Sequence, residues 1–386
     1  MNILMICNSY PNRQYPNAYV FVHNQTQMLQ KRGHHVVVMD IDLRSLRWRR
    51  KYGFWIDTYE GVVVYRMSFP FVTRSPMPPE CVNWVTRRLA LIVYKKMLQN
   101  GERFDLMHAH FAFASGAAAA VIKKRFGLPY VITEHSSGIH MGKKNIVKAS
   151  LDCYHYADQI VTVSNVLRDA LKKCGIHQRI HVIPNVVNTN RFRPDSSCKQ
   201  NDVFTFLTVT RLVPEKGIDL LLTAFAQMRK QHPNIALIIA GDGDERSRLE
   251  KLAKELEISD KAMFKGMIPN REMPLIYNRA DCFVLPSHNE TFGMVYAEAA
   301  SCGLPVIGTK CGGPEDIICE KNGLLIDRFD AKPLKAAMEK IYGDYQNYCN
   351  QKEQMHQDIE TRFGETRVYQ MLMQVYKHLK NEGNVL

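Results

Sequence analysis

Short runs of apolar, largely β-branched residues without polar alternation recur along the chain and alternate with stretches of helical period. NILMICN (2–8), HVVVMDI (35–41), GVVVYRM (61–67), LMHAHF (106–111), YVITEH (130–135), IVTVSN (160–165) and HVIPN (181–185) come first. FTFLTVTRL (204–212), ALIIAGDG (236–243), AMFKGMI (262–268), CFVLPS (282–287), PVIGT (305–309) and GLLID (323–327) follow. A strand that is apolar on both sides is covered on both sides, as in a parallel sheet clad in helices. Between the runs, DLLLTAFAQMRKQH and ERSRLEKLAKELE carry apolar residues three and four apart. A βαβα order running twice predicts an α/β chain of two doubly wound, Rossmann-like domains. With 386 residues there is length enough for two.

The stretch NTNRFRPDSSCKQND (188–202) is polar, contains proline and has no period, so the boundary is placed there. The domains are then 1–187 and 203–363, with 188–202 as linker. Open parallel sheets bind ligands beyond the carboxyl ends of their strands, and with two such domains the default site is the cleft between them. The candidate residues are therefore those that follow strands.

Charge divides the chain along the same line. Residues 1–194 hold 27 Lys and Arg against 11 Asp and Glu, or +16, and the remainder holds 24 against 27, or −3. A basic half beside a near-neutral half points to an anionic partner for the first domain: nucleic acid, membrane surface or a phosphorylated substrate. No apolar run approaches the roughly 18 residues of a membrane span. MNILMICNSY lacks a basic start and a small-residue cleavage site, so it is read as a first strand rather than a leader. The 10 cysteines show no CxxC pair, which predicts reduced thiols in the cytoplasm and no metal cluster.

Four constellations follow strands. In TRLVPEKG (210–217), Arg211 and Lys216 sit where a strand passes into a helix, a place where cations and helix-terminal N–H groups converge on phosphate; the alternative is a solvated loop. In HNETFGMVYAEAASCGLP (288–305), Glu290 precedes a helix over Met294–Ser301 and Glu298 lies inside it. The helix start at Phe292–Gly293 offers N–H groups to an anion, and carboxylates accept hydrogen bonds from vicinal hydroxyls. The plain alternative makes Glu290 a helix cap and Glu298 a surface residue. Gly312–Gly313–Pro314–Glu315 is either a second phosphate loop or a tight connection, and the turn at Gly241–Asp242–Gly243 lets backbone pass close to backbone or ligand. Last come the histidines. His108 and His110 share a strand with no third metal ligand at suitable spacing, so packing is expected of them, whereas His135 ends its strand and is expected to face the site.

In this order the pieces resemble the family 4 glycosyltransferases, retaining enzymes of the GT-B fold. The resemblance is carried by RGHHVVVMD (32–40), TEH (133–135), VTVSNVLRDALKKCGI (161–176), HVIPN (181–185), TRLVPEKG, AGDG (240–243), the run from Phe264 to Thr309, GGPEDII and NGLLID. It implies a nucleotide-diphosphate-sugar donor, UDP- or GDP-linked, held mainly by the second domain. By resemblance, Arg211 and Lys216 neutralise the leaving diphosphate, and Glu290 holds donor-sugar hydroxyls. The Gly293 and Met294 amides meet sugar or phosphate, Glu298 takes the ribose hydroxyls, Gly241 lies at the donor, and His135 touches the donor sugar. No metal and no cofactor is implied. The final helix, about 364–386, packs back on the first domain.

The chain departs from the family in the first strand-to-helix loop. Asn17, Ala18 and Tyr19 stand where the family carries glycine, and IPNVVN (183–188) replaces IPNGVD. The first domain of such enzymes binds the acceptor. Its basic patches, LRSLRWRRKYGFW (43–55) and VNWVTRRLALIVYKKML (82–98), mix cations with aromatic residues. They suggest a lipid-linked acceptor and peripheral attachment to the anionic inner face of the cell membrane, as in bacterial surface polysaccharide synthesis. The rivals are another GT-B enzyme such as a UDP-sugar epimerase, and a basic nucleic-acid-binding protein. No recognition-helix, ribonucleoprotein or zinc motif supports the latter.

Overall fold

The computed structural model describes residues 1–45, 51–71, 77–198, 203–327 and 329–382. The chain divides into two compact units, Met1–Val186 with Val368–Leu386, and Val187–Arg367.

The first unit is built on eight strands among the described residues: β1 (Asn2–Cys7), β2 (His35–Ser45), β3 (Gly53–Tyr59), β4 (Val62–Phe71), β5 (Leu106–His110), β6 (Tyr130–Glu134), β7 (Gln159–Thr162) and β8 (Ile180–Val182). Their order is β3-β4-β2-β1-β5-β6-β7-β8. All neighbours are parallel except β3 and β4. Successive residues of β1 go to opposite faces and are apolar on both. Leu4 and Ile6 join the core that includes Leu89, Val93 and Met97 of the helix Pro79–Gln99, while Ile3 and Met5 join the core containing Val22 and Leu29 of the helix Val20–Lys31.

β3 was absent from the expected strands. It pairs with β4 through a two-residue turn, Glu60–Gly61, both at positive φ (46° and 84°). That geometry matches the strand twist and favours Asn-Gly or Asp-Gly. Glutamate at the first position hides the signal.

The helix Glu365–Glu382 closes the first unit: Val368, Leu372, Val375, Tyr376 and Leu379 are buried in the core shared with β1. It follows the expected position, with residues 383–386 outside the described residues.

The second unit has six parallel strands among the described residues: β9 (Phe204–Val209), β10 (Ile235–Ala240), β11 (Ala262–Gly266), β12 (Cys282–Leu285), β13 (Val306–Thr309) and β14 (Gly323–Ile326). They run β11-β10-β9-β12-β13-β14. This is the 3-2-1-4-5-6 order of the doubly wound fold, and it reverses between β9 and β12. The loops leaving those two strands belong to opposite arms of the winding and meet at this point.

Residues 188–198, in the stretch expected as a linker, are packed on the second unit rather than hanging free. Phe192 is buried edge-on to Tyr277 at 5.9 Å, and the Asp195 amide donates to Asn278 Oδ1 at 2.8 Å. Residues 199–202 lie outside the described residues.

Candidate active site

The switch point of the second unit gathers most of the expected residues. After β9 the chain makes a turn at Pro214–Lys216 and enters the helix Ile218–Arg229 through Gly217, at φ 63°. A Cβ on Gly217 would lie 2.3 Å from the Pro286 carbonyl, so only glycine lets this loop pass against the one leaving β12. A hydrogen bond from the His288 amide to the Glu215 carbonyl, 2.8 Å, ties the two loops together.

Across that junction the Lys216 ammonium lies 2.5 Å from Glu290 Oε1, with both side chains largely buried. Ser287 Oγ donates to the same oxygen at 3.1 Å. Glu290 is therefore held through Oε1. It does not cap the helix: Gly293, at φ 92°, is the cap residue and no side chain closes the helix start. The first-turn N–H groups of Met294–Ser301 thus lie beside a fixed ion pair. A Cβ at Gly293 would come within 2.6 Å of the Tyr296 ring, which accounts for glycine there.

Arg211 is exposed at the end of β9 and forms no ion pair with a described residue. Glu298 lies one turn inside the helix and accepts from the Tyr277 hydroxyl at 3.0 Å. Burial pushes its carboxyl up to about 7, against the opposing pull of that hydrogen bond and of Arg191.

Gly241 serves backbone packing. Its φ is 131°, and a Cβ there would fall on the Thr210 carbonyl at 1.7 Å. Leu212 N donates to Asp242 O at 2.9 Å, so the loops after β9 and β10 continue the sheet ladder side by side.

Of the two readings of Gly312–Gly313, the structure favours the tight connection. The Gly312 amide is taken by the Glu315 carboxylate at 2.9 Å and the Gly313 amide by the Glu290 carbonyl at 2.8 Å. Neither N–H is left for phosphate.

His135 belongs to the first unit and follows β6. It is buried, with Phe21 and Phe111 ring centroids 4.4 and 5.1 Å away. Its Nε2 is 3.0 Å from His110 Nδ1, and His110 stacks on His108 at 4.6 Å. Burial lowers His135 to about 3 and His108 to about 3, so these imidazoles are neutral at physiological pH. His108 is fully engaged in packing, at 2.6 Å from Thr133 Oγ1 and 2.5 Å from Tyr376 Oη. The pairing of His110 with His135 was not foreseen. The H-x-H alternation put His108 and His110 on one face of β5, but only the β5–β6 register brings His135 beside them.

The same unit has its own reversal of strand order, between β1 and β5. A cavity of about 1330 Å³ opens there, lined by Asn8, Tyr19, Leu43, Met77, Val82 and Phe113 among others. Tyr19, at φ 39°, takes the left-handed conformation at the position where the resembling family carries glycine.

Two family models match consecutive halves of the chain: Glycosyltransferase Family 4 over residues 18–191 and Glycosyl transferases group 1 over 190–359. The putative teichuronic acid biosynthesis glycosyltransferase TuaC of Bacillus subtilis is 30% identical over 361 residues, covering 88% of each chain. The gpi3 subunit of phosphatidylinositol N-acetylglucosaminyltransferase from Schizosaccharomyces pombe is 28% identical over 74% of this chain, a match spanning 63% of that protein. The α-monoglucosyldiacylglycerol synthase of Streptococcus pneumoniae is 27% identical over 72% of this chain and 64% of its own length.

Among solved structures, sucrose-phosphate synthase from Thermosynechococcus elongatus superposes with a TM-score of 0.80 at 22% identity, covering 99% of both chains. HepE of Anabaena, in complex with UDP-glucose, gives 0.74 at 19% identity over 98% of this chain and all of that one. The chain belongs to the family 4, group 1 glycosyltransferases and has their GT-B fold.

Proposed function

We propose that the chain is a retaining hexosyltransferase that moves a sugar from a UDP- or GDP-linked donor to a hydroxyl of a lipid-linked saccharide. In this reading it works without a metal ion, at the inner face of a bacterial cell membrane, in surface polysaccharide synthesis. The observation that carries it is the Lys216–Glu290 pair, held where the strand order of the second unit reverses.

When the bond between the sugar C1 and the diphosphate oxygen breaks, negative charge collects on the leaving diphosphate. Lys216 and the first-turn amides of Gly293 and Met294 are positive groups held in place before the reaction, and the exposed Arg211 on the loop after β9 is a further cation. Glu290 uses Oε1 for Lys216 and Ser287, and its Oε2 is assigned to donor-sugar hydroxyls. Glu298 takes the ribose hydroxyls, Gly241 brings the loop after β10 to the nucleotide, and His135 donates a hydrogen bond to the donor sugar as a neutral imidazole. Screening UDP- and GDP-sugars for slow hydrolysis and for thermal stabilisation of the protein tests this map. Stabilisation by none of them, or conversion of a UDP-sugar without any acceptor into its epimer, overturns it.

Glu298 gives the map a pH signature. Its carboxylate, the form that accepts from both ribose hydroxyls, is populated above about pH 7. Nucleotide affinity is therefore expected to rise between pH 6 and 8, and Glu298→Gln is expected to flatten that rise. Titration calorimetry with UDP and GDP at several pH values checks both.

The acceptor is assigned to the large cavity of the first unit, where apolar Leu43, Met77, Val82 and Phe113 suit hydrocarbon and Lys143 and Lys144 suit phosphate. A membrane-facing surface lies on the neighbouring helix Pro79–Gln99. Trp84 is 56% and Ile92 46% exposed, Arg88 and Lys95 share their stripe, and the Arg88 guanidinium lies 4.5 Å from the Trp84 ring centroid. A further apolar side chain, Phe126, is exposed beside Tyr94 of the same helix. Of the other basic patch, Arg49 and Arg50 lie outside the described residues. The names of the glycolipid-forming relatives favour a lipid acceptor.

With about 1 kcal/mol for each cation near an anionic surface, Arg88→Ala combined with Lys95→Ala is expected to lower partition onto phosphatidylglycerol vesicles roughly thirty-fold at low salt. Flotation measures it, and absence of wild-type binding sinks the membrane part of the reading.

A further inference from the structure

A second recess lies on the other face of the same sheet, at its antiparallel edge. Arg66 of β4 forms its floor. Arg66 is 3% exposed. Its Nε donates to both Asp57 oxygens at 3.0 and 3.1 Å, Nη1 to Asp40 Oδ2 at 2.6 Å and to the Tyr10 carbonyl at 3.1 Å, and Nη2 to the Pro11 carbonyl at 2.6 Å. Four of its five N–H groups are thus taken within the protein. Pairing across the strands sets Trp55 opposite Arg66 and Ser68 opposite Asp42. The alternation of strands then puts Asp40, Asp42, Trp55, Asp57, Arg66 and Ser68 on one face. The recess above them measures about 510 Å³, within the roughly 300–1,000 Å³ of small-molecule sites.

Two buried atoms here have no hydrogen-bond partner among the described residues, Asp40 Oδ1 and Ser68 Oγ. A buried polar atom without a partner is costly, and at the wall of a cavity it points to a ligand that supplies one. Trp55 is half-buried, with the Lys51 ammonium 5.0 Å from its ring centroid. An aromatic face gives a flat apolar surface for the C–H side of a sugar ring, and carboxylates at the edge accept from its hydroxyls. Among the described residues that line it, three cations, Arg13, Lys51 and Arg66, balance three carboxylates, Asp40, Asp42 and Asp57. The balance suits a neutral polyhydroxylated ring better than a phosphate.

We infer that this recess is a saccharide-binding subsite that holds a neutral sugar of the acceptor against Trp55, between Asp42 and Ser68. The assignment rests on the reading of the chain as a transferase with a saccharide acceptor. It names the part of that acceptor which is recognised. Asp42 lines both this recess and the large cavity assigned to the acceptor.

The test is saturation-transfer NMR on the full chain with the methyl glycosides of glucose, galactose, mannose and N-acetylglucosamine, which lack the hydrocarbon part. At least one is expected to receive saturation at its ring C–H protons. Trp55→Ala and Asp42→Asn are each expected to weaken its Kd at least tenfold, with melting temperatures unchanged. Asp42→Asn preserves side-chain volume and reads out even where Trp55→Ala fails to fold. Transfer to none of the four glycosides, or transfer undiminished in both variants, overturns the proposal. Displacement of the glycoside by inorganic phosphate also overturns it, because the recess would then be an anion site. Hydrolysis of UDP- and GDP-sugars by the same wild-type sample separates the two readings. Glycoside binding without hydrolysis leaves the subsite standing and removes the transferase map, whereas hydrolysis without glycoside binding does the reverse.

Discussion

Replacing Lys216 by alanine is expected to lower kcat by about two orders of magnitude or more, the usual cost of removing one charge-stabilising group from a reaction that builds up negative charge. Two effects add. The leaving diphosphate loses a cation fixed at the switch point, and Glu290, held by that cation at 2.5 Å, loses its partner. Glu290→Ala is expected to cost a similar factor, by releasing Lys216 and removing the acceptor for donor-sugar hydroxyls. Because the two side chains act as one unit, the double variant is expected to fall little below either single one. Transfer or donor hydrolysis under saturating nucleotide-sugar measures all three. Wild-type turnover in both single variants refutes the donor map, whatever the acceptor proves to be.

The second large effect concerns stability. Arg66→Ala is expected to cost about 3–5 kcal/mol, the range for breaking a buried ion pair from one side. Asp40, 5% exposed and held up to about 6 by burial even beside Arg66, would lose the cation that favours its charged form and be driven to take up a proton, and the Tyr10 and Pro11 carbonyls would lose their donor. Arg66→Met with Asp40→Leu removes both charges from the buried core and is expected to recover much of the loss. Urea unfolding followed by Trp fluorescence reads the difference, since Trp55 stands opposite Arg66 in the sheet. A loss below about 1 kcal/mol would mean that water or rearrangement replaces the ion pair.

The parallel strands were legible because each is a run of apolar residues too short for a helix and bounded by turn residues. β9 and β12 show why position in the sheet was not. FTFLTV and CFVL read alike, and only their pairing reveals that the order reverses between them. The sequence offered Lys216 and Glu290 as separate candidates 74 residues apart, and their contact depends on Gly217 allowing two loops to touch. Gly312 and Gly313 show the opposite limit. As letters they fit a phosphate loop equally well, and the hydrogen bonds that consume their amides come from Glu315 and Glu290. The recess under Trp55 was hidden for a different reason. It needs β3, whose turn begins with Glu60, and it needs Asp40 and Arg66 to be neighbours across strands, which periodicity does not record.

The helix that returns to the first unit has a consequence for biosynthesis. Val368, Leu372 and Tyr376 fill the same core as Ile3 and Met5, and the Tyr376 hydroxyl meets His108. Residues made first therefore wait for residues made long afterwards, with Val187–Arg367 translated in between. At roughly 5–20 residues per second the wait is about 10–35 s. During it, the apolar face of β1 and β5 that this helix covers stands open on the ribosome. The middle unit has no such debt, since its sheet is complete once its own strands emerge. The nascent chain thus matures from the inside outward, and an early stop anywhere before Val368 would leave its oldest part unfinished.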